Sequence, residues 1–291
     1  MIKASHSIEQ DSVQALEDAL YELAPSNWSL IVSQTDGAGS LEGFFDSEND
    51  ATLAQQKLES ILGKDFEEPF KLDQLEDKDW KESYKTHFKA WSRGTIHWVP
   101  EWERESYEIP CGHHALYVDP GMAFGTGNHE TTRLCLESMI SICERKQVKD
   151  CLDVGCGSGI LSLSAHLLGI ENVKAIDFDP DAIKVARENA TLNMMARDVD
   201  FKVSSLENLD GKEQFDLVVA NIQADILMQN SETLIQLIRG DGFLVLSGIL
   251  TSEMELVEDC FLNLLQMKEK IFACDKKSLG EWSLLQLMLN A

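Results

Sequence analysis

The sequence predicts an α/β protein, with an open and mostly parallel β-sheet that follows a small α+β unit. From residue 122 to residue 291, short apolar runs alternate with segments of helical periodicity, a pattern typical of βαβ units. A glycine-rich turn joins an apolar strand at 148–154 to a helix at 160–168. In residues 1–72, helices alternate with short strands, which favours a ferredoxin-like unit.

The small unit is predicted to contain two helices and at least two strands. Residues 12–23 and 51–62 carry apolar side chains at helical spacing, so each segment predicts an amphipathic helix. Residues 28–32 and 41–45 are rich in apolar and aromatic side chains, so each predicts a short strand.

The charged segment that follows is compatible with a helix. We predict a linker helix at 73–90, with Trp80 and Tyr84 as candidate docking residues. Residues 91–102 are rich in aromatic side chains and alternate in character, so they predict one strand that leads into a second domain, residues 91–291.

The second domain is predicted as an alternation of strands and helices. The predicted strands are 148–154, 173–176, 199–203, 215–220 and 242–250, and the predicted helices are 134–143, 160–168, 180–193, 227–238 and 253–265. Two more segments, 268–274 and 282–289, are expected to close the sheet as an antiparallel pair.

The composition narrows the classes of function. With 25 basic and 50 acidic residues the net charge is −25, and a negative surface repels phosphate, so nucleic acid is not expected as a direct partner. The charge suits a basic protein partner, although acidic surfaces also simply keep proteins in solution. No apolar stretch is as long as a membrane span, and residues 1–10 lack the features of a signal peptide, so we expect a cytoplasmic protein without membrane contact.

The cysteines predict neither a disulfide framework nor a metal site. Their number is seven, which is odd, and no C-x-x-C pair is present. We therefore expect reduced, buried thiols.

The glycine-rich turn predicts a site for a nucleoside-type cofactor. Gly155, Gly157 and Gly159 let the backbone approach a ligand closely, and Asp177, about twenty residues on, can accept hydrogen bonds from ribose hydroxyls. A dinucleotide fingerprint would place its third glycine at position 160, where Ile160 stands instead. The form Asp-x-Gly-x-Gly-x-Gly at 153–159 resembles the turn of S-adenosylmethionine-dependent methyltransferases, so S-adenosylmethionine is favoured over a nicotinamide. A purely structural glycine turn is the alternative.

Asn221 is the main candidate for a catalytic residue. It ends the apolar strand at 215–220, and ligands of open α/β sheets lie over the carboxyl ends of the strands. Its side chain can accept a hydrogen bond from an amine and donate one. The alternative role is an N-cap for the following helix.

Residues 119–132 form a string too rich in glycine and small polar residues to be core. Phe124, between flexible glycines, suits a segment that folds over a ligand. Thr131 and Thr132 would open the following helix and face the amino-acid end of the cofactor. His129 is a candidate base, although a histidine in a polar loop is more often a structural hydrogen-bonding group.

These motifs together resemble one family, the bacterial methyltransferases of large-subunit ribosomal protein eleven, or PrmA family. The motifs are DPGMAFGTGNHETT at 119–132, DVGCGSGIL at 153–161, IDFDP at 176–180 and VVANI at 218–222, with LEDKDW at 75–80 and IHWVP at 96–100 upstream. The resemblance covers residues 75 to 250 and is weaker outside them. It implies a class I S-adenosylmethionine-dependent methyltransferase with a Rossmann-like, mostly parallel, seven-stranded sheet.

The resemblance also implies roles for particular residues. Cofactor contacts are expected at Thr132, Gly155, Asp177 and Asn221, and the same motifs add Thr131, Asp153, Gly157 and Gly159. Asn221 and Phe124 are the expected catalytic residues, and Phe124 with Trp98 would supply a dry wall. The residues that follow Asn221 and Ile222 are Gln, Ala and Asp at 223–225, whereas the family usually has small residues and a proline there. This difference concerns the geometry of the acceptor pocket.

The expected activity is methylation of lysine side-chain amines, and N-terminal amines as a further possibility, of a basic ribosomal protein. Residues 1–72 would recognise that protein, and the chain is expected to act as a monomer. Two alternatives stay open at this point. One is a methyltransferase with another protein or small-molecule acceptor, and the other is an oxidoreductase or a silent cofactor-binding module.

Overall fold

The chain divides into two compact units, Met1–Tyr84 and Lys85–Ala291. A computed structural model describes residues 2–8, 10, 12–13, 16, 20, 28–32, 39–45, 47–62, 66, 69–74, 89–119, 129–209, 212–269 and 272–289. The boundary between the units falls inside the segment 73–90 predicted as a linker. Trp80, Tyr84 and most of that segment lie outside the described residues, so the linker helix stays a prediction.

The first unit contains a four-stranded antiparallel sheet in the order β2-β3-β1-β4. Its elements are β1 (Ile2–Ile8), β2 (Trp28–Val32), β3 (Gly39–Phe45), α1 (Glu48–Leu62) and β4 (Lys71–Gln74). Residues 12, 13, 16 and 20 are helical, so the order is β-α-β-β-α-β and the ferredoxin-like prediction is confirmed. Because β4 ends at Gln74, the first two residues of the predicted linker helix belong to a strand instead.

The second unit contains the predicted seven-stranded sheet, in the order β10-β9-β8-β11-β12-β14-β13. Its strands are β8 (Asp150–Val154), β9 (Asn172–Asp177), β10 (Val199–Val203), β11 (Phe215–Asn221), β12 (Ile238–Leu250), β13 (Phe272–Leu279) and β14 (Trp282–Leu289). The first five are parallel, and β14 pairs antiparallel with β12 and with β13. The predicted parallel sheet and its closing antiparallel pair are therefore confirmed.

Helices cover both faces of this sheet. They are α2 (Glu130–Arg145), α3 (Ile160–Leu167), α4 (Pro180–Leu192), α5 (Ala224–Gln229), α6 (Ser231–Gln236) and α7 (Met254–Met267). Buried residues of α2, α3 and α4 form one core with the sheet, and those of α5, α6 and α7 form the other. None of the helices in the described part of the chain is both long and apolar enough to span a bilayer.

The prediction of one helix at 227–238 is wrong, because two short helices and the start of a strand occupy the segment. Asn230 has φ −107° and ψ 15°, which is not helical, and it both ends α5 and begins α6. Residue Ile238 already belongs to β12.

The prediction of one strand at 91–102 is also wrong. The segment is a hairpin of β5 (Trp91–Arg93) and β6 (Ile96–Pro100), since Gly94 turns the chain with φ +58°. β7 (His114–Val118) then pairs parallel with β6 and completes a three-stranded sheet.

Candidate functional site

A cavity of about 650 Å³ opens over the carboxyl ends of the parallel strands. This volume is in the range of natural small-molecule sites. Among the residues predicted for the site, Thr131, Gly155, Gly157, Asp177 and Asn221 line the cavity, as does His129. The fold therefore brings together residues that lie as far apart in the chain as positions 129 and 221.

The glycine turn after β8 forms one wall of the cavity. Gly155 and Gly157 have φ of +70° and +52°, a conformation that glycine adopts without strain. A Cβ on Gly155 would lie 2.4 Å from Cγ2 of Ile222, which is too close for contact. The turn is tied to the neighbouring strand, because the Gly155 and Cys156 N–H groups donate to the Ile176 carbonyl at 2.8 and 3.0 Å.

Gly159, predicted to contact the cofactor, does not line the cavity. It precedes α3 with φ +80°, and a Cβ there would lie 3.0 Å from Cβ of Ala186 and 3.2 Å from the Phe201 ring. Its lack of a side chain lets the start of α3 pack against α4. The described contacts of this glycine are packing contacts, and its contact with the cofactor stays a prediction.

Asp177 ends β9 at the edge of the cavity and is almost fully buried. The Gly157 N–H donates to its Oδ2 at 2.9 Å, and the Asp179 N–H donates to its Oδ1 at 3.0 Å. An ionised carboxylate has about four lone-pair positions, so each oxygen retains the capacity to accept from a ligand hydroxyl.

Asp153, also predicted to contact the cofactor, lies in β8, two residues before Gly155. Its side chain is completely buried and does not line the cavity. The Ser162 hydroxyl donates to its Oδ2, and Oδ1 has no hydrogen-bond partner among the described residues. Burial, helped by the neighbouring charge of Asp177, raises the pKa of Asp153 to about 7 against the opposing effect of the Ser162 hydrogen bonds.

Three buried thiols surround this carboxyl group. Burial and the nearby Asp153 raise the pKa of Cys135, Cys151 and Cys156. The expectation of reduced, buried thiols holds for these three, whereas Cys111 and Cys274 are exposed.

Asn221 ends β11 and lines the cavity. Its Nδ2 makes a long contact of 3.5 Å to Oγ1 of Thr132, a buried residue that does not itself line the cavity. Its Oδ1 is buried and accepts no hydrogen bond from the described residues. The N-cap position of α5 is held by Gln223, so the structure does not give Asn221 the alternative role of helix cap.

His129 caps α2 beside the cavity. Its Nδ1 accepts from the Thr131 N–H at 3.4 Å and lies 2.9 Å from the Thr131 hydroxyl. Its ring meets Trp282 edge-on at 4.9 Å. These contacts match the structural role weighed for this histidine. Phe124 lies outside the described residues, so its catalytic role stays a prediction.

The expectation that Trp98 forms a dry wall is wrong. Trp98 is completely buried, stacks on Trp91 at 4.2 Å and donates its indole N–H to Ser164 at 2.8 Å. It therefore belongs to the core between β6 and α3. Among the described residues, Phe178 and Trp282 line the cavity with large aromatic side chains.

Phe178, Ser205, Leu206, Ile222 and Trp282 line the cavity without having been predicted. Four of them follow the carboxyl ends of β9, β10 and β11, where ligands of open sheets bind, so strand ends alone could have located them. Trp282 begins β14, whose antiparallel direction brings its first residue to the same edge.

The chain is similar to one known protein family along most of its length. The family model described as ribosomal protein L11 methyltransferase (PrmA) matches residues 4–287. The ribosomal protein L11 methyltransferase of Caldicellulosiruptor bescii is 38% identical over 74% of this chain and 66% of its own length. That of Alteromonas mediterranea is 34% identical over 90% of this chain and 85% of its own length.

A solved structure is similar as well. The ribosomal protein L11 methylase of Lactobacillus delbrueckii subsp. bulgaricus superimposes with a TM-score of 0.60 at 33% identity, over 70% of this chain and 100% of that one.

The buried carboxyl of Asp153 predicts a pH dependence of stability. Between about pH 4 and pH 7 the unfolded chain has released this proton while the folded protein keeps it, so Asp153 lowers the free energy of unfolding as the pH rises. Asp153→Asn has no titrating carboxyl group at this position, so its free energy of unfolding does not fall in this way as the pH rises. We expect its stability relative to the parent protein to improve by about 2 to 3 kcal/mol from pH 5 to pH 8 in urea denaturation.

Asp259→Asn on the exposed face of α7 serves as the control, and its relative stability should not change across this range. A stability difference for Asp153→Asn that is the same at both pH values would contradict the assignment.

Proposed function

The chain belongs to the ribosomal protein L11 methyltransferase (PrmA) family, and we propose that it transfers methyl groups from S-adenosylmethionine to amines of ribosomal protein L11. The observation that supports this most directly is the cavity over the carboxyl ends of β8, β9 and β11, where Gly155, Gly157, Asp177 and Asn221 meet. Lysine side chains are the proposed acceptors, with N-terminal amines as further ones.

The donor half of the cavity suits a nucleoside. We propose that Asp177 accepts hydrogen bonds from the ribose hydroxyls with the lone pairs that the backbone leaves unused. Phe178 follows it directly, is 80% exposed and offers an apolar surface for the base. Gly155 and Gly157 leave room for the ligand along the turn, since neither carries a side chain.

The acceptor must arrive as a neutral amine with its lone pair in line with the methyl carbon. S-adenosylmethionine supplies that methyl group on a sulfonium. An ordinary lysine has a pKa near 10.4, so about one side chain in 2,500 is neutral at pH 7, at a cost of about 4.6 kcal/mol. Desolvation beside a positive charge lowers this pKa, so the proton can leave to water before transfer and no general base is required.

Asn221 would then orient the amine. Its Oδ1 is buried, has no hydrogen-bond partner among the described residues and sits at the end of β11, so it can accept one N–H of the acceptor. Holding the nitrogen in this way directs the lone pair and removes rotational freedom before the reaction. In the transfer the nitrogen–carbon bond forms as the carbon–sulfur bond breaks.

The two units would divide the work, the first recognising the protein and the second holding the donor. The net charge of −25 suits a basic partner and opposes nucleic acid. We propose that the chain acts as a monomer. Incubation of the purified protein with S-adenosylmethionine and ribosomal protein L11, followed by mass spectrometry, tests the activity, and an unmodified acceptor would contradict it.

Asp177→Ala should weaken S-adenosylmethionine binding roughly ten- to a hundred-fold, because a charged acceptor for two hydroxyls is lost. Asp179→Ala is the matched control. It removes a carboxylate two residues away that caps α4 and does not line the cavity, so it should lower stability without changing affinity. Calorimetric titration measures the affinity of both variants for S-adenosylmethionine. Near-native affinity in Asp177→Ala would contradict the proposal that Asp177 binds the ribose.

Asn221→Ala should lower kcat by roughly a hundred-fold or more while the fold survives, because amine positioning is lost rather than a structural contact. Steady-state kinetics and a melting curve decide this together. If activity stays within a few-fold of the parent protein, Asn221 does not orient the acceptor.

A truncated chain that begins at Lys85 should bind S-adenosylmethionine and fail to methylate ribosomal protein L11. The cut is placed there because β4, which ends at Gln74, pairs with β1 and belongs to the first unit. Donor binding is followed by calorimetry and methylation by mass spectrometry. A truncated enzyme that methylates as well as the full chain would show that the first unit does not recognise the acceptor.

A further inference from the structure

Helix α4 pairs with the free edge of β7 through two asparagine side chains. Asn193, which ends the helix, accepts from the Tyr117 N–H at 2.8 Å and donates to the Tyr117 carbonyl at 2.6 Å. Asn189, one turn earlier, accepts from the Asp119 N–H at 2.9 Å and donates to the Asp119 carbonyl at 2.9 Å. A side-chain amide offers the same donor and acceptor as a peptide group, so the two asparagines stand in for a neighbouring strand.

This arrangement satisfies a backbone need. The other edge of β7 is already paired with β6, and alternate residues of an extended chain present their N–H and C=O groups to the same side. Backbone groups left unpaired inside a protein are costly. Pairing with the Tyr117 backbone is thus enough to explain Asn193 as a structural residue. Its side chain also donates to the Asn189 carbonyl of its own helix.

Asn189 makes a contact that Asn193 lacks. Its Nδ2 also donates to the Ser158 carbonyl at 2.9 Å, and both residues are almost completely buried. Ser158 belongs to the glycine turn, directly after Gly157. One amide group therefore joins the turn to Asp119, the first residue of the string 119–132.

The bond to Ser158 gives the turn a second side-chain attachment, in addition to the one from Asp177. The Gly157 N–H donates to Asp177 at 2.9 Å, and the carbonyl of the next residue, Ser158, accepts from Asn189 at 2.9 Å. Two side chains therefore hold the turn at adjacent residues, Gly157 and Ser158. The backbone path of the turn depends on both hydrogen bonds, and so does the space next to Gly155 and Gly157.

We propose that Asn189 is a positioning residue for donor binding, acting through Ser158 and Asp119 without lining the cavity itself. This inference rests on the proposed function. It assigns Asn189 an effect on the donor alone, since its contacts reach the glycine turn and the start of the string. Asn193 supports the same strand but leaves the turn untouched, so it should have no such effect.

The test compares Asn189→Ala with Asn193→Ala. Both variants should be less stable in urea denaturation, because each loses a pair of hydrogen bonds to the backbone of Tyr117 or Asp119. Only Asn189→Ala should bind S-adenosylmethionine about tenfold more weakly or worse by calorimetry, with a matching rise in KM for the donor. For Asn189→Ala, kcat at saturating donor and KM for the protein acceptor should stay within about twofold of the parent protein. Asn193→Ala should match the parent in every binding and kinetic parameter.

A second variant covers the case in which the alanine does not fold. Asn189→Asp keeps the acceptor for the Asp119 N–H and the packing volume but loses both donors, so it should weaken donor binding in the same way. The proposal is overturned if the folded Asn189 variants bind the donor within about twofold of the parent, or if Asn193→Ala weakens binding as much. Absence of donor binding by the parent protein would instead contradict the proposed function.

Discussion

The hydrogen bond from the Gly157 amide to the Asp177 carboxylate joins the turns that follow two neighbouring parallel strands, β8 and β9. Because the acceptor is charged and the bond is buried, it is stronger than an ordinary backbone bond. The same carboxylate forms part of the cavity wall. Below about pH 7 the more deeply buried Asp153 keeps its proton.

Much of the fold could be predicted because the central parallel strands β8 and β11 are buried on both faces and read as apolar runs. The errors arise where one residue redirects the chain. Gly94 turns within a run of alternating aromatic residues, and Asn230 interrupts a helical pattern without breaking its periodicity. β7 escaped prediction because one of its edges pairs with a short strand and the other with side chains from a helix.

The site could be predicted in part, because motif spacing places residues at strand ends but does not give the direction of each side chain. Asp177 and Asn221 end their strands and face the cavity. Asp153 and Gly159 belong to the same motif as Gly155 yet face the core, and β8 is buried on both sides, so no alternation in the sequence distinguishes them. Trp282 comes from a distant antiparallel strand, which local patterns do not connect with the glycine turn.

The placement of β14 has a consequence for biosynthesis. This strand is last in chain order, yet it lies between β12 and β13, is almost entirely buried and begins with a residue of the cavity wall. The sheet cannot close until residues 282–289 have left the ribosome, so β12 emerges with an unpaired apolar edge that must wait for its partner. Such late, non-local pairing slows folding and leaves the edge of β12 open to aggregation until β14 has paired with it.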